Sequence, residues 1–229
     1  AVFSFFIQTA PPNYKPEGWN PPAPAPGSAV SGVNKNWNQM LADPMFYVLF
    51  LMLLAGAFSG LMIISQASPI VQEVTKVTPA VAAVAVSLLA MANTLGRLFW
   101  GAVSDKIGRY NALIIMYIIA GTATFSLKGI STYGTFVVAI MLVGFCFGGT
   151  MGIFPALTAD KFGPKNNGVN YGIMFIAFAL AGYLGPILAA NVKASSGSYG
   201  QAFVIAACMS VVGILLTLFV RMKSQKAQA

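Results

Sequence analysis

The sequence predicts an all-α integral membrane protein with six transmembrane helices. Hydrophobic residues make up 57% of the chain and charged ones only 8%, far below the about 25% charged that is usual in globular domains. The mean hydropathy is +0.76, and apolar runs long enough to cross a bilayer, roughly 20 residues each, recur between short polar turns. Only helices and closed barrels satisfy every backbone amide in hydrocarbon, and the period-2 alternation of a barrel is missing.

Ala1 to Gln8 are apolar but too few to span, and read as the end of a preceding transmembrane helix; the chain is then expected to be the C-terminal part of something longer. Residues 9–43 form a linker dense in proline (Pro11, Pro12, Pro16, Pro21, Pro22, Pro24, Pro26), which disfavours helix and favours extended chain. Asp43-Pro44 is a helix start, with a carboxylate cap and a proline where its missing N–H does no harm. The first span is expected over about 45–66, closed by Ser68-Pro69. Thr78-Pro79 opens the second, about 79–103. The others are expected over about 110–127, 134–157, 170–191 and 202–220, and 221–229 is a basic tail. Cys146 and Cys208 sit in apolar runs without metal-site spacing and read as small buried hydrophobes.

Charge sets the orientation. The linker, the turns after the second and fourth spans and the tail hold Lys15, Lys35, Lys106, Arg109, Lys161, Lys165, Arg221, Lys223 and Lys226; the opposite loops hold Lys76, Lys128 and Lys193. That bias places linker and tail in the cytoplasm. It also accounts for the net charge of +8 as topology, which argues against a nucleic-acid partner. Glycine pairs at GxxxG spacing (Gly56/Gly60, Gly144/Gly148, Gly148/Gly152, Gly168/Gly172) read as close helix packing.

Arg97 is the one charged residue placed inside a span. An arginine there costs about 2.5–3.5 kcal/mol on insertion scales. Ser87, Ala90, Asn93, Thr94, Arg97 and Gly101 fall on one side of the second helix and Leu88, Leu95, Phe99 and Ala102 on the other, so Arg97 either faces a wet cavity, where it would bind an anion, or snorkels about 9 Å to the cytoplasmic surface. All five acids (Glu17, Asp43, Glu73, Asp105, Asp160) fall in loops or at helix ends and histidine is absent. Acid–base catalysis within the membrane therefore has no evident residues, and neither does a metal or cofactor site, so no enzyme activity is expected.

The stretch Gly101-Ala102-Val103-Ser104-Asp105-Lys106-Ile107-Gly108-Arg109 resembles the signature turn of the major facilitator superfamily, G-x-x-x-D-[RK]-x-G-[RK]-[RK], departing where Tyr110 replaces a basic residue. Gly60-Leu61-Met62-Ile63-Ile64-Ser65, Asn93 to Arg97 and Tyr171-Gly172-Ile173-Met174-Phe175 resemble the oxalate/formate antiporter family within it. The resemblance implies that the spans are helices 7 to 12, one half of a carboxylate transporter working by alternating access in a bacterial inner membrane, with an N-terminal six-helix half as partner. It implies an anion site at Arg97 with Asn93, an aromatic cage at Phe147 and Phe175, and a cytoplasmic gate at Gly101, Asp105, Lys106, Gly108 and Arg109. Where oxalate-carrying members have a lysine, this chain has Phe178. One cation in place of two implies a monocarboxylate such as formate, acetate, lactate or pyruvate rather than oxalate. A membrane sensor or scaffold on the same fold is the alternative.

Overall fold

The computed structural model describes residues 34–226, so the expected helix end at 1–8 and most of the linker lie outside the described residues. Eight helices follow in order: α1 (Trp37–Leu41), α2 (Pro44–Thr75), α3 (Pro79–Ile107), α4 (Arg109–Ser126), α5 (Tyr133–Phe162), α6 (Asn167–Met174), α7 (Ile176–Ser196) and α8 (Gly200–Lys226). Five runs are long and apolar enough to cross a membrane: α2, α3, α5, the α6–α7 pair and α8. The expectation of six meets one exception in α4. It has 18 residues and opens Arg-Tyr-Asn, which leaves its apolar stretch short.

Local sequence explains most of the helix ends. The Asp43 carboxylate accepts the Met45 N–H at 2.9 Å, as a cap should. Gly108 (φ +89°) and Gly163 (φ +92°) break the chain in the same left-handed way after α3 and α5, a conformation that penalises any Cβ. Pro69, expected to end the first span, does not stop α2. Ile70 and Val71 beyond it are fully buried, and Gln72 Nε2 donates to Ser68 Oγ at 2.9 Å, so packing outweighs one lost backbone bond. The α6–α7 run is interrupted at Phe175, whose carbonyl accepts from both Phe178 (3.0 Å) and Ala179 (3.2 Å), a local 3₁₀-type tightening. Cys146 is buried as expected, but Cys208 is exposed. A lipid-facing position is as apolar as a core position, so hydrophobicity does not separate them.

Two apolar layers fill the bundle. One, around Phe58, Met62, Leu89, Phe136 and Phe203, lies toward the Thr75 end. The other, around Leu53, Trp100, Leu113, Phe154 and Phe162, lies toward the Gly108 end. The end of the linker is stitched onto the second layer. Lys35 N–H donates to Phe162 O at 2.8 Å, its carbonyl accepts from Asn166 (3.1 Å) and Asn170 (3.0 Å), and its ammonium pairs with Asp43 at 2.6 Å. Burial raises the Asp43 pKa, but the Lys35 and Met45 hydrogen bonds prevail and hold it below its ordinary value.

The closest approach is between α3 and α5. A Cβ on Gly148 would fall 1.9 Å from Asn93 O, one on Gly152 2.7 Å from Arg97 O, one on Gly144 3.1 Å from Leu89 O, and one on Gly96 2.0 Å from Phe145 O. Carbonyls at three successive turns of α3 thus rest on glycines at three successive turns of α5. Gly60 likewise leaves room for the Phe147 ring, whereas Gly168 and Gly172 have nothing within 4 Å and take no part in packing. Gly148→Ala is therefore expected to lower unfolding stability by about 1–3 kcal/mol, while Gly101→Ala, where a Cβ meets nothing within 4 Å, costs nothing. Denaturation in detergent checks the pair, and equal midpoints would refute the seam.

Candidate functional site

The α3–α5 seam fixes which way α3 faces. Its buried stripe is narrow, made of Ala82, Ala85, Leu89, Ala92, Gly96, Trp100 and Ser104. At ~100° per residue, the remaining surface divides in two. Met91, Leu95, Leu98 and Phe99 form an exposed apolar face. Ser87, Ala90, Thr94 and Arg97, with Asn93 and Gly101 half-buried, form the other. A helix of membrane length therefore shows one lipid-like face and one polar face, separated by the seam.

On the polar face Arg97 Nη2 donates to Asn93 Oδ1 at 3.4 Å, and Asn93 Nδ2 donates to Gly144 O at 3.2 Å. Asn93 lies one turn toward the N-terminus. The guanidinium thus points into the span, away from the α3 end at Ile107, and is reinforced by an amide that α5 holds in place. The Arg97 donors not used on Asn93 have no protein acceptor among the described residues.

Aromatic side chains form a stack on α5 and the α6–α7 run. Phe147 is next to Gly148, the residue that touches Asn93 and Arg97, which puts it at their level. Its ring stacks on Phe178 (6.0 Å between centroids, 20° between planes), and Phe178 stacks on Phe175 (4.5 Å, 11°). Phe147 is 5% exposed and supports the stack from behind; Phe175 is 37% exposed and presents it. Tyr171 continues the row, 5.6 Å from Phe175. Arg97 and Asn93 are thus joined to each other, Phe147, Phe175 and Phe178 form one stack, and Phe147 stands at the level of Asn93. Tyr171 is the member of that row the sequence did not single out.

The signature turn lies at the Ile107 end. Arg109 pairs with Asp105 at 2.6 Å and with Asp160 at 3.3 Å, and it donates to the buried Ser104 Oγ at 2.7 Å. It therefore joins the turn after α3 to the end of α5. The likeness of Ser104-Asp105-Lys106-Ile107-Gly108 to Ala159-Asp160-Lys161-Phe162-Gly163 was the available signal, since both turns end on a glycine of the same conformation. Lys106 is exposed and Gly101 stands open. Lys161 lies over the Tyr110 ring at 5.7 Å. A groove of about 390 Å³ between α4 and α8, lined by Tyr117, Phe125, Cys208 and Ile214 among others, has no charged lining residue and shares none with the Arg97 region.

The model of the Major Facilitator Superfamily matches residues 1–186 and, in an overlapping alignment, 57–229. The chain is 30% identical over 193 residues to the oxalate:formate antiporter of Oxalobacter formigenes, covering 83% of this chain and 46% of that protein. It is 35% identical over 144 residues to the uncharacterized MFS-type transporter YhjX of Escherichia coli, covering 62% and 36%. Apicoplast pyruvate carrier 2 of Toxoplasma gondii is 33% identical over 87 residues, covering 36% and 13%. The chain spans less than half the length of each. The family match and the five apolar helices together make it a multi-pass membrane protein.

The two partners of Arg109 are not equal. Asp105 is 62% exposed and Asp160 36%, and exposed ion pairs contribute little. Asp160→Asn is expected to cost about 1 kcal/mol of unfolding stability and Asp105→Asn less than about 0.5 kcal/mol. The reverse order in denaturant midpoints would contradict the bridging role of Asp160.

Proposed function

The chain belongs to the Major Facilitator Superfamily, and from that premise we propose that it forms the C-terminal half of a secondary transporter of small organic anions. In this reading α4, though short, completes six spans, the linker and tail lie in the cytoplasm of a bacterial inner membrane, and a preceding six-helix half closes the other side of the site. Alternating access then exposes a midplane site to each side in turn.

The observation that carries the reading is the direction of Arg97. A guanidinium on the polar face of a membrane-length helix, hydrogen-bonded one turn inward to Asn93, has turned from the surface it would reach by snorkelling. In a cavity of low dielectric its remaining N–H groups suit the paired oxygens of a carboxylate. Phe178 at the neighbouring wall supplies no second cation, which favours a monocarboxylate over a dianion such as oxalate. The relatives named for oxalate and formate and for pyruvate are consistent with small carboxylates as the broader substrate class. Asp105, Lys106 and Arg109, with Gly101 and Gly108, would form the cytoplasmic gate, where Arg109 ties α3 to α5 in one state and releases them in the other. Among the described residues no acid lies within an expected span, so exchange needs nothing further from this half, while proton symport would need a carrier elsewhere.

Arg97→Ala is expected to reduce uptake of labelled monocarboxylates by the full-length protein in proteoliposomes at least about 100-fold, in line with losing one charge-assisted pair in a buried site. Arg97→Lys should retain part of it, having charge without the bidentate geometry. Uptake by correctly inserted Arg97→Ala protein at the unsubstituted rate would remove this residue from the site.

A further inference from the structure

If Arg97 holds the carboxylate, the facing wall dictates the rest of the substrate. The α6–α7 run is divided into faces much as α3 is. Ala177 and Ala181 are fully buried, and Ile176, Leu180, Tyr183 and Ile187 form an exposed apolar face. At ~100° per residue, Tyr171, Phe175, Phe178 and Gly182 share the face between them. From Tyr171 to Gly182 that face carries no charged group, and its one polar side-chain group is the Tyr171 hydroxyl; Lys193, at the same angle three turns further on, is engaged with Glu73.

The rest of the wall is hydrocarbon. The near-parallel stack of Phe175 on Phe178, backed by Phe147, offers a flat phenyl surface with no donor or acceptor. The polar face of α3 at the level of Phe147 is chemically unlike this surface. A second carboxylate, a hydroxyl or a keto oxygen laid against the phenyl wall would lose water without gaining a partner. A methylene or an aromatic ring would gain by leaving water.

We propose that the substrate is a monocarboxylate with an apolar body, its carboxylate on Arg97 and its hydrocarbon against Phe175 and Phe178. This rests on the anion-site reading above and narrows it. Formate has no body to place there, and lactate and oxalate place polar atoms where the wall has none to meet them.

Binding of formate, acetate, propionate, butyrate and benzoate to the purified full-length protein tests this, with lactate and oxalate alongside, by calorimetry. Kd is expected to fall about fourfold per methylene from acetate to butyrate, with benzoate tighter still and lactate weaker than propionate. In Phe178→Ala the gain per methylene should shrink to under about twofold, which separates binding at the wall from partition into detergent. A flat series, lactate or oxalate binding tighter than propionate, or an unchanged gradient in Phe178→Ala would overturn the apolar-body assignment. The underlying reading is tested separately by Arg97→Ala. Loss of the whole series in that variant, beside a flat series in the unsubstituted protein, would sink only the proposal made here. Equal binding of every acid with and without Arg97, or binding of none, would sink both.

Discussion

The contact on which the rest of the architecture depends is backbone against backbone, between carbonyls of α3 and glycines of α5. Leu89, Asn93 and Arg97 present their carbonyls at successive turns to Gly144, Gly148 and Gly152. Within lipid no hydrophobic force draws one helix to another, and association relies on close van der Waals approach and weak Cα–H···O contacts. Such an approach needs only a thin stripe of α3. The consequence is that a helix held along so narrow a line keeps two broad faces free, one apolar and one polar. The same seam sets Phe147 at the level of Asn93 and gives the arginine its amide support.

Polar groups do the complementary work at the ends of the helices. Arg109 clamps the turn after α3 to the end of α5, and Lys35 fastens the end of the linker to the turn between α5 and α6. At the other end Lys193 of α7 pairs with Glu73 of α2, donates to Gly197 O and sits over Tyr199. Ion pairs of this exposure add little to stability one by one. Their placement matters more, because each joins the tips of helices whose middles are held mainly by packing, and such contacts are the ones a conformational change can break and remake.

Much of this was legible in the sequence because lipid imposes a strong composition signal. The polar side of α3 stood out against an apolar background, and Asp43-Pro44 announced a capped helix. What was hidden depended on tertiary contact. Pro69 looked like a stop, yet buried Ile70 and Val71 carry the helix past it. The irregularity at Phe175 has no glycine or proline to betray it. Cys208 could not be told from a core residue, since lipid and protein interior make the same demand of a side chain. Asp160 was visible only as an echo of Asp105, and its partnership with Arg109 arises from a fold that brings together residues far apart in the chain. Phe147, read as a cage residue, is too buried to present more than the support of the stack.

The central claim is that α3 has a wet face opposite a lipid face, with Arg97 on the former. Single cysteines placed along α3 in full-length protein lacking Cys146 and Cys208 test it directly, using a membrane-impermeant thiol reagent in intact membranes. The account predicts labelling at Ser87, Ala90 and Thr94 and none at Met91, Leu95 and Leu98. Labelling that follows depth in the membrane regardless of face, or that favours Met91, Leu95 and Leu98, would contradict it.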